Sequence, residues 1–270
     1  MKIITVHSFI KAAGLLVVAA MLGTACSAVD PEESDPQEND NGKSEKIPTP
    51  DSYKYPVPEA VDLGLSVKWA SINLFTDEPY SIKGHLAWGG FYNTVFSWSH
   101  YRLCEGTKIT LTRYNSEKEY GKVDNKKEFK DYNYEDDAAR AYLGGNWRIP
   151  TEAEWKELLD NCTWKWEYSK YIPDPLNPKR NIQLRGYRVT SKKSGYTEAS
   201  IFLPAAGYYQ FNSEKMEEEY LYAGSLGYYW SSTASSAGNA RSVELSFDGA
   251  NLRNTVRFRG LSIRPVCPKD

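Results

Sequence analysis

Histidine and cysteine are both scarce in this chain, with three and four copies among 270 residues. His7 falls in an N-terminal leader. His85 and His100 stand among aromatic residues, with no spaced Cys, Asp or second His to complete a zinc or non-haem iron set. Both read as ordinary hydrogen-bonded residues, and no metal or other cofactor is expected. The cysteines are isolated in sequence, and those that follow Cys26 (Cys104, Cys162 and Cys267) permit at most one internal disulfide. Long apolar runs are missing as well: residues 12–22 are apolar, but a membrane span needs about 20 residues. Bulk charge of one sign is also absent. The formal net charge is -2, and the acidic excess collects in Asp30, Glu32, Glu33, Asp35, Glu38, Asp40 and Glu45. The nearly neutral remainder has no field to gather nucleic acid or an anionic membrane. No repeat of 20 to 50 residues recurs, which disfavours a solenoid or propeller.

What is present at the N-terminus reads as an address. Lys2 and Lys11 flank a short start to the apolar run, and Leu22-Gly23-Thr24-Ala25-Cys26 follows. Small residues before a cysteine form a lipobox, so residues 1–25 are expected to be a lipoprotein signal peptide and Cys26 the lipid acceptor. Leu22 lies one position farther from Cys26 than the strict motif has it. Residues 26–58 read as a disordered acidic tether, because the stretch behind Cys26 has almost nothing apolar to bury. An acidic run just after a lipidated cysteine resembles the export signal of Bacteroidetes-type surface lipoproteins. That implies lipid anchoring in the outer membrane, facing outward.

From residue 59 to residue 270 the composition turns to Trp, Tyr and Gly, enough chain for one domain. The spacing predicts a first strand over residues 65–69 and a short helix over residues 138–143, entered through Glu135, Asp136 and Asp137. Thr151 and Glu154 form a capping box for a stronger helix with Trp155, Leu158 and Leu159 on one face. The period then shifts to two at Trp164, Trp166 and Tyr168. Strands are expected over residues 187–190, 201–204, 228–231, 243–247 and 255–266, with a hairpin signal at Asp248-Gly249. Helices first and an antiparallel sheet last is the α+β pattern.

Several motifs in one order carry a family resemblance. Val61-Asp62-Leu63-Gly64-Leu65, Ala87-Trp88-Gly89, Asn146-Trp147-Arg148-Ile149-Pro150-Thr151-Glu152, Phe202-Leu203-Pro204-Ala205-Ala206-Gly207, Tyr229-Trp230-Ser231-Ser232-Thr233 and Ser262-Ile263-Arg264-Pro265-Val266 together resemble the Fibrobacter succinogenes major paralogous domain family. The resemblance implies a C-type-lectin-like or formylglycine-generating-enzyme-like fold, with short helices on a twisted antiparallel sheet. It also implies core roles for Trp147, Trp155, Trp230 and Phe202. A lectin-like fold often ties a helix to its last strand, which favours a Cys162–Cys267 bridge. The family does not require that bond.

Chemistry is harder to find. The closely placed cysteine pair of the formylglycine-generating enzymes has no counterpart, and the Glu-Pro-Asn and Trp-Asn-Asp elements of calcium-dependent lectins are absent. Glu152, Glu154 and Asp136-Asp137 suit helix entries, and Glu217-Glu218-Glu219 suits a solvated loop face. No catalytic residues are assigned. What stands out is a supply of aromatics in the loops after Pro204. Tyr209, Phe211, Tyr220 and Tyr222 are candidate ligand contacts, joined by Asn239, Arg241, Asn251 and Arg253 if binding uses the loops around the final strands. The expected function is a non-catalytic binding or adhesion module for a surface protein or glycan. The alternatives are a formylglycine-generating-enzyme-like oxidoreductase or glycan-processing enzyme, and a structural subunit of a surface assembly.

Overall fold

The computed structural model describes residues 46–236 and 238–269. The signal segment, Cys26 and the tether up to residue 45 lie outside the described residues. Glu45–Asp270 forms one compact unit of mixed α+β structure, mostly sheet with few helices. Residues 46–58, expected to belong to the tether, pack onto this unit: the Lys46 carbonyl accepts from the Tyr92 hydroxyl at 2.9 Å, and the Tyr53 ring lies against Phe75 and Tyr142. Among the described residues no helix is long and apolar enough to cross a membrane.

Two helices stand where the local signals put them. Helix α1 spans Ala138–Leu143, capped by the Asp137 carboxylate, which accepts from the backbone of Arg140 and of Ile149. Burial lifts that carboxyl to about 6. Helix α2 spans Glu152–Asn161 with both halves of the Thr151/Glu154 capping box formed. Arg148 adds a two-pronged ion pair to Glu154. Trp155 and Leu158 are fully buried, with Leu159 half-buried at the edge of the same face. The helix ends as Cys162 adopts extended backbone and the alternating run Thr163-Trp164-Lys165-Trp166 begins.

The strands are β1 (Ala60–Val61), β2 (Val67–Ala70), β3 (His85–Leu86), β4 (Cys162–Asp174), β5 (Asn177–Ser191), β6 (Ser200–Pro204), β7 (Tyr208–Asn212), β8 (Glu217–Leu221), β9 (Gly227–Ala234), β10 (Asn239–Ser246), β11 (Gly249–Val256), β12 (Leu261–Ser262) and β13 (Val266–Pro268). They form sheets in the orders β11-β10-β9-β12-β3, β1-β2-β13 and β4-β5-β6, with β7 and β8 as a separate hairpin. Residues 255–266, expected to be one strand, are divided among β11, β12 and β13. The β10–β11 hairpin turns through Phe247-Asp248, with Ser246 opposite Gly249.

Indole hydrogen bonds tie the layers together. Trp88 and Trp155 donate to the carbonyls of Ser231 and Trp230, and Trp230 donates to that of Leu86, at 2.8 to 3.1 Å. Trp155 also packs on Trp69 at 4.7 Å between ring centres. Arg264, fully buried, donates to Asn73 Oδ1 and to the carbonyls of Ala70 and Phe202, so a cation replaces missing backbone pairing. Phe202 and Trp230 are buried as the motifs imply, whereas Trp147 is half-buried.

Three local expectations change. Asp136 is not helix-entry charge: it is fully buried and binds Arg102, Arg113 and the Tyr114 hydroxyl. Glu217-Glu218-Glu219 lies on β8 rather than in a loop, and Glu218 accepts from the Phe96 amide at 2.9 Å. No disulfide joins Cys162 to Cys267. Cys162 packs in the cluster around Trp155 and Val266, and period-two alternation turns Cys267 to the opposite face of β13 from Val266.

Candidate binding cleft

One concavity of the described residues is assembled from short, scattered pieces. Strand β3 lies at the end of the five-stranded sheet, paired antiparallel with β12 so that His85 faces Ser262. The chain reaches β3 through Gly84, whose φ of +82° and whose approach to the Leu74 carbonyl leave no room for a side chain. The β7–β8 hairpin stands beside β3, tied down by Tyr209, whose amide and carbonyl exchange hydrogen bonds with Gly260 at 2.9 Å. Tyr55, the loop before β3, the segment Phe91 to Asn93 and the tip of the β4–β5 hairpin complete the lining. Between them lies a cleft of about 670 Å³.

Its walls are aromatic. Tyr209 and Tyr220 stack at 4.4 Å, with planes 16° apart, and both meet the His85 ring edge-on at 5.3 and 5.5 Å. Phe75 meets Tyr142 edge-on at 4.7 Å on another side, and Tyr55, Tyr80, Phe91 and Tyr92 also line the space. Most phenol groups that reach inward are held: the Tyr142 hydroxyl donates to the Phe91 carbonyl at 2.8 Å, and that of Tyr220 donates to the Ala206 carbonyl. Charge is confined to the rim. Lys170 of β4 grips both Glu78 carboxylate oxygens at 2.7 and 2.6 Å, clamping the long hairpin against the loop before β3, and Lys83 is exposed.

His85 faces the backbone carbonyls of Ala206 and Gly207 from a buried position. It is only 5% exposed, and its Nε2 atom has no hydrogen-bond partner in the protein. The carbonyls of Ala206 and Gly207 favour protonation, but burial outweighs them and holds the pKa down to about 4. Burial likewise raises the phenols of Tyr209 and Tyr220. His100, by contrast, is exposed and bonds the Ser97 and Ser99 hydroxyls through Nδ1, as expected.

The candidate contacts divide. Tyr209 and Tyr220 come together in the cleft, on strands rather than loops. Phe211 lies farther along β7, its amide bonded to the Phe96 carbonyl, and Tyr222 is exposed just past β8 with its ring near Tyr208. Asn239, Arg241, Asn251 and Arg253 sit on β10 and β11, away from the cleft lining. Arg241 pairs with Glu152 at 3.0 Å and bonds Asn254, Arg253 pairs with Glu244 at 3.2 Å, and the Asn239 carbonyl accepts from Arg257. The two arginines are engaged in ion pairs, and all four residues lie on strands rather than on a shared binding loop. Phe75, Tyr80, His85, Tyr92 and Tyr142 were not anticipated, because no local pattern links segments so far apart in sequence. Among the described residues, no group of three or more His, Cys, Asp or Glu side chains is gathered as metal ligands would be.

A family model described as a domain of unknown function (DUF8237) matches residues 187–266, from within β5 to the start of β13, which includes the Tyr209 and Tyr220 wall. No curated protein and no solved structure matches the chain.

Proposed function

We propose that this chain is a lipid-anchored, outward-facing binding module of the Fibrobacter succinogenes major paralogous type, with a C-type-lectin-like fold and no catalytic role. Its ligand sits in the aromatic cleft rather than on the β10–β11 hairpin. The observation that carries this reading is a cleft of about 670 Å³ walled by aromatic rings with charge confined to its rim. That volume is typical of sites that take a compact ligand or one protruding group of a larger one. Tyrosine rings suit such work because they offer an apolar face with few rotatable bonds. The α+β architecture and the ordered motifs from Val61 to Val266 support the family reading.

Two variants test the location. Tyr209→Ala removes one cleft wall, and Arg253→Ala removes an ion pair on the outer hairpin. Surface plasmon resonance of the mature chain against immobilised glycans and glycoproteins should show about tenfold weaker binding for the first and no change for the second. The opposite ranking would move the site to the hairpin. Anchoring is tested separately: Cys26→Ala should shift the protein from the membrane fraction to the soluble fraction, since acyl chains hold by burying CH₂ groups at about 0.8 kcal/mol each. Unchanged fractionation would reject the anchor.

A further inference from the structure

The long β4–β5 hairpin leaves one of its strands half paired. Strand β4 lies at the edge of its sheet, with β5 on one side and, among the described residues, no strand on the other. Parity decides which of its backbone groups face the open side. The Lys192 amide donates to the Asn161 carbonyl at 3.1 Å, whereas the Ser191 amide turns away to the Ala199 carbonyl. Counting on by twos, Thr163, Lys165 and Glu167 bond β5, so the amides and carbonyls of Trp164, Trp166 and Tyr168 point outward. Edges are usually blunted by lysine, proline or a bulge. Here Lys170, Pro173 and the register shift after Tyr168 guard the outer half of the strand. The inner half carries one lysine, Lys165, balanced by Glu167 at 3.0 Å. On its other face Trp164 and Trp166 are half-buried, and Tyr168 is 61% exposed.

We infer that this edge docks a second copy of the chain, β4 against β4 in antiparallel pairing about a two-fold axis at Trp166, so that two three-stranded sheets become one. Charge selects the register. Pairing about Lys165 or about Glu167 would set like charges face to face, and pairing about Trp164 or Tyr168 leaves both charges without a match. About Trp166, Lys165 of each copy faces Glu167 of the other, in the non-hydrogen-bonded pair where side chains approach most closely. With the ion pair inside each chain, the four groups form a ring of alternating sign. The same register sets Trp164 opposite Tyr168 and Trp166 opposite its own copy, which joins the aromatic faces and matches outward amides to outward carbonyls. A foreign strand would have to reproduce this order of charge and aromatics, which the chain itself already supplies. The contact is isologous and closed, so it ends at a dimer.

The test is disulfide trapping of the full chain in intact cells, read on non-reducing gels. Opposed residues in such a pair lie about 4.5 to 5.5 Å apart between Cα atoms, within the reach of a disulfide. Trp166→Cys is expected to give a covalent dimer that wild type does not. Lys165→Cys co-expressed with Glu167→Cys should give a mixed dimer about tenfold stronger than either variant alone, because each of these residues lies more than about 7 Å from its own counterpart. These two substitutions remove no core contact, so they keep the test decisive if Trp166→Cys fails to fold. Phe247→Cys, exposed at the β10–β11 turn, reports chance collision and should not cross-link. Tyr168→Pro removes an outward amide and spares the pairing with β5, so it should cut the mixed dimer about tenfold. Absence of both the Trp166→Cys and the mixed dimer would overturn the inference, as would equal trapping by Phe247→Cys. Equal trapping by Lys165→Cys alone would reject this register, and a mixed dimer that persists in Tyr168→Pro would reject edge pairing. Cross-linking of Trp166→Cys to a protein of another mass, with no dimer, would show that the edge takes a foreign strand and reject the second copy.

Discussion

The cleft and the outer β10–β11 hairpin treat their polar side chains in opposite ways. On the hairpin, Arg241 and Arg253 have carboxylate partners, and Ser242 bonds Thr255 across the strands at 2.7 Å. In the cleft, His85 is buried and its Nε2 has no partner. Satisfied groups on a regular ladder maintain the sheet, whereas a buried donor or acceptor left open is a cost that the fold alone does not repay. Aromatic side chains gathered from distant segments mark the cleft, whereas paired charges on a regular ladder mark the hairpin.

The largest expected effect calibrates the scaffold side. Trp155→Ala deletes a fully buried ring packed between Trp69 and Tyr229 and removes the hydrogen bond to the Trp230 carbonyl. It should cost about 3 to 5 kcal/mol, read by urea unfolding, with misfolding as the extreme outcome. A near-native midpoint would break the assignment of the α2 face to the core.

Acid should separate the two regions next. Folded His85 titrates near 4 and an unfolded histidine near 6.5, so between these values the unfolded chain holds the extra proton. The stability this group confers is complete above about pH 6.5 and is lost as pH falls through 4, up to about 3 kcal/mol. His85→Phe should remove that loss, so the gap between variant and wild type is flat above pH 7 and widens in the variant's favour toward pH 4. Parallel profiles would mean that His85 is already solvated or paired.

Smaller effects refine the contrast. In the cleft, Tyr209→Ala should weaken ligand binding by about 1 to 2 kcal/mol. On the hairpin, Arg253→Ala breaks an ion pair whose arginine is half exposed, so unfolding stability should change by no more than about 0.5 kcal/mol, with binding unaltered. A larger loss at Arg253 in either measurement would erase the distinction drawn between the regions.

Local chemistry made much of the scaffold readable in advance. The Thr151/Glu154 capping box, the bounds of α1 and the β10–β11 turn each depend on residues within a few positions of one another, and each appears at or within a residue of its expected place. The β4–β5 hairpin extends beyond its sequence signal because its outer half, around Tyr171 and Arg180, is mostly exposed and carries no regular apolar alternation. Glu217-Glu218-Glu219 hides the strand pattern of β8, so Tyr220 lies on a strand where the sequence suggests a loop. The cleft itself was legible only at Tyr209 and Tyr220. Its other walls arrive from the segments around Tyr55, Phe75, Tyr142 and Pro173, which meet only through tertiary packing. The absence of a partner for His85 is a property of the folded surroundings, and no sequence pattern encodes it.

The most direct measurement is the thermal unfolding of His85→Phe beside wild type at pH 7, with no ligand added. If Nε2 of His85 has no partner in the fold, the variant should melt at the same temperature or higher. A loss of more than about 2 kcal/mol would contradict the account, because it would show that the imidazole holds the structure together.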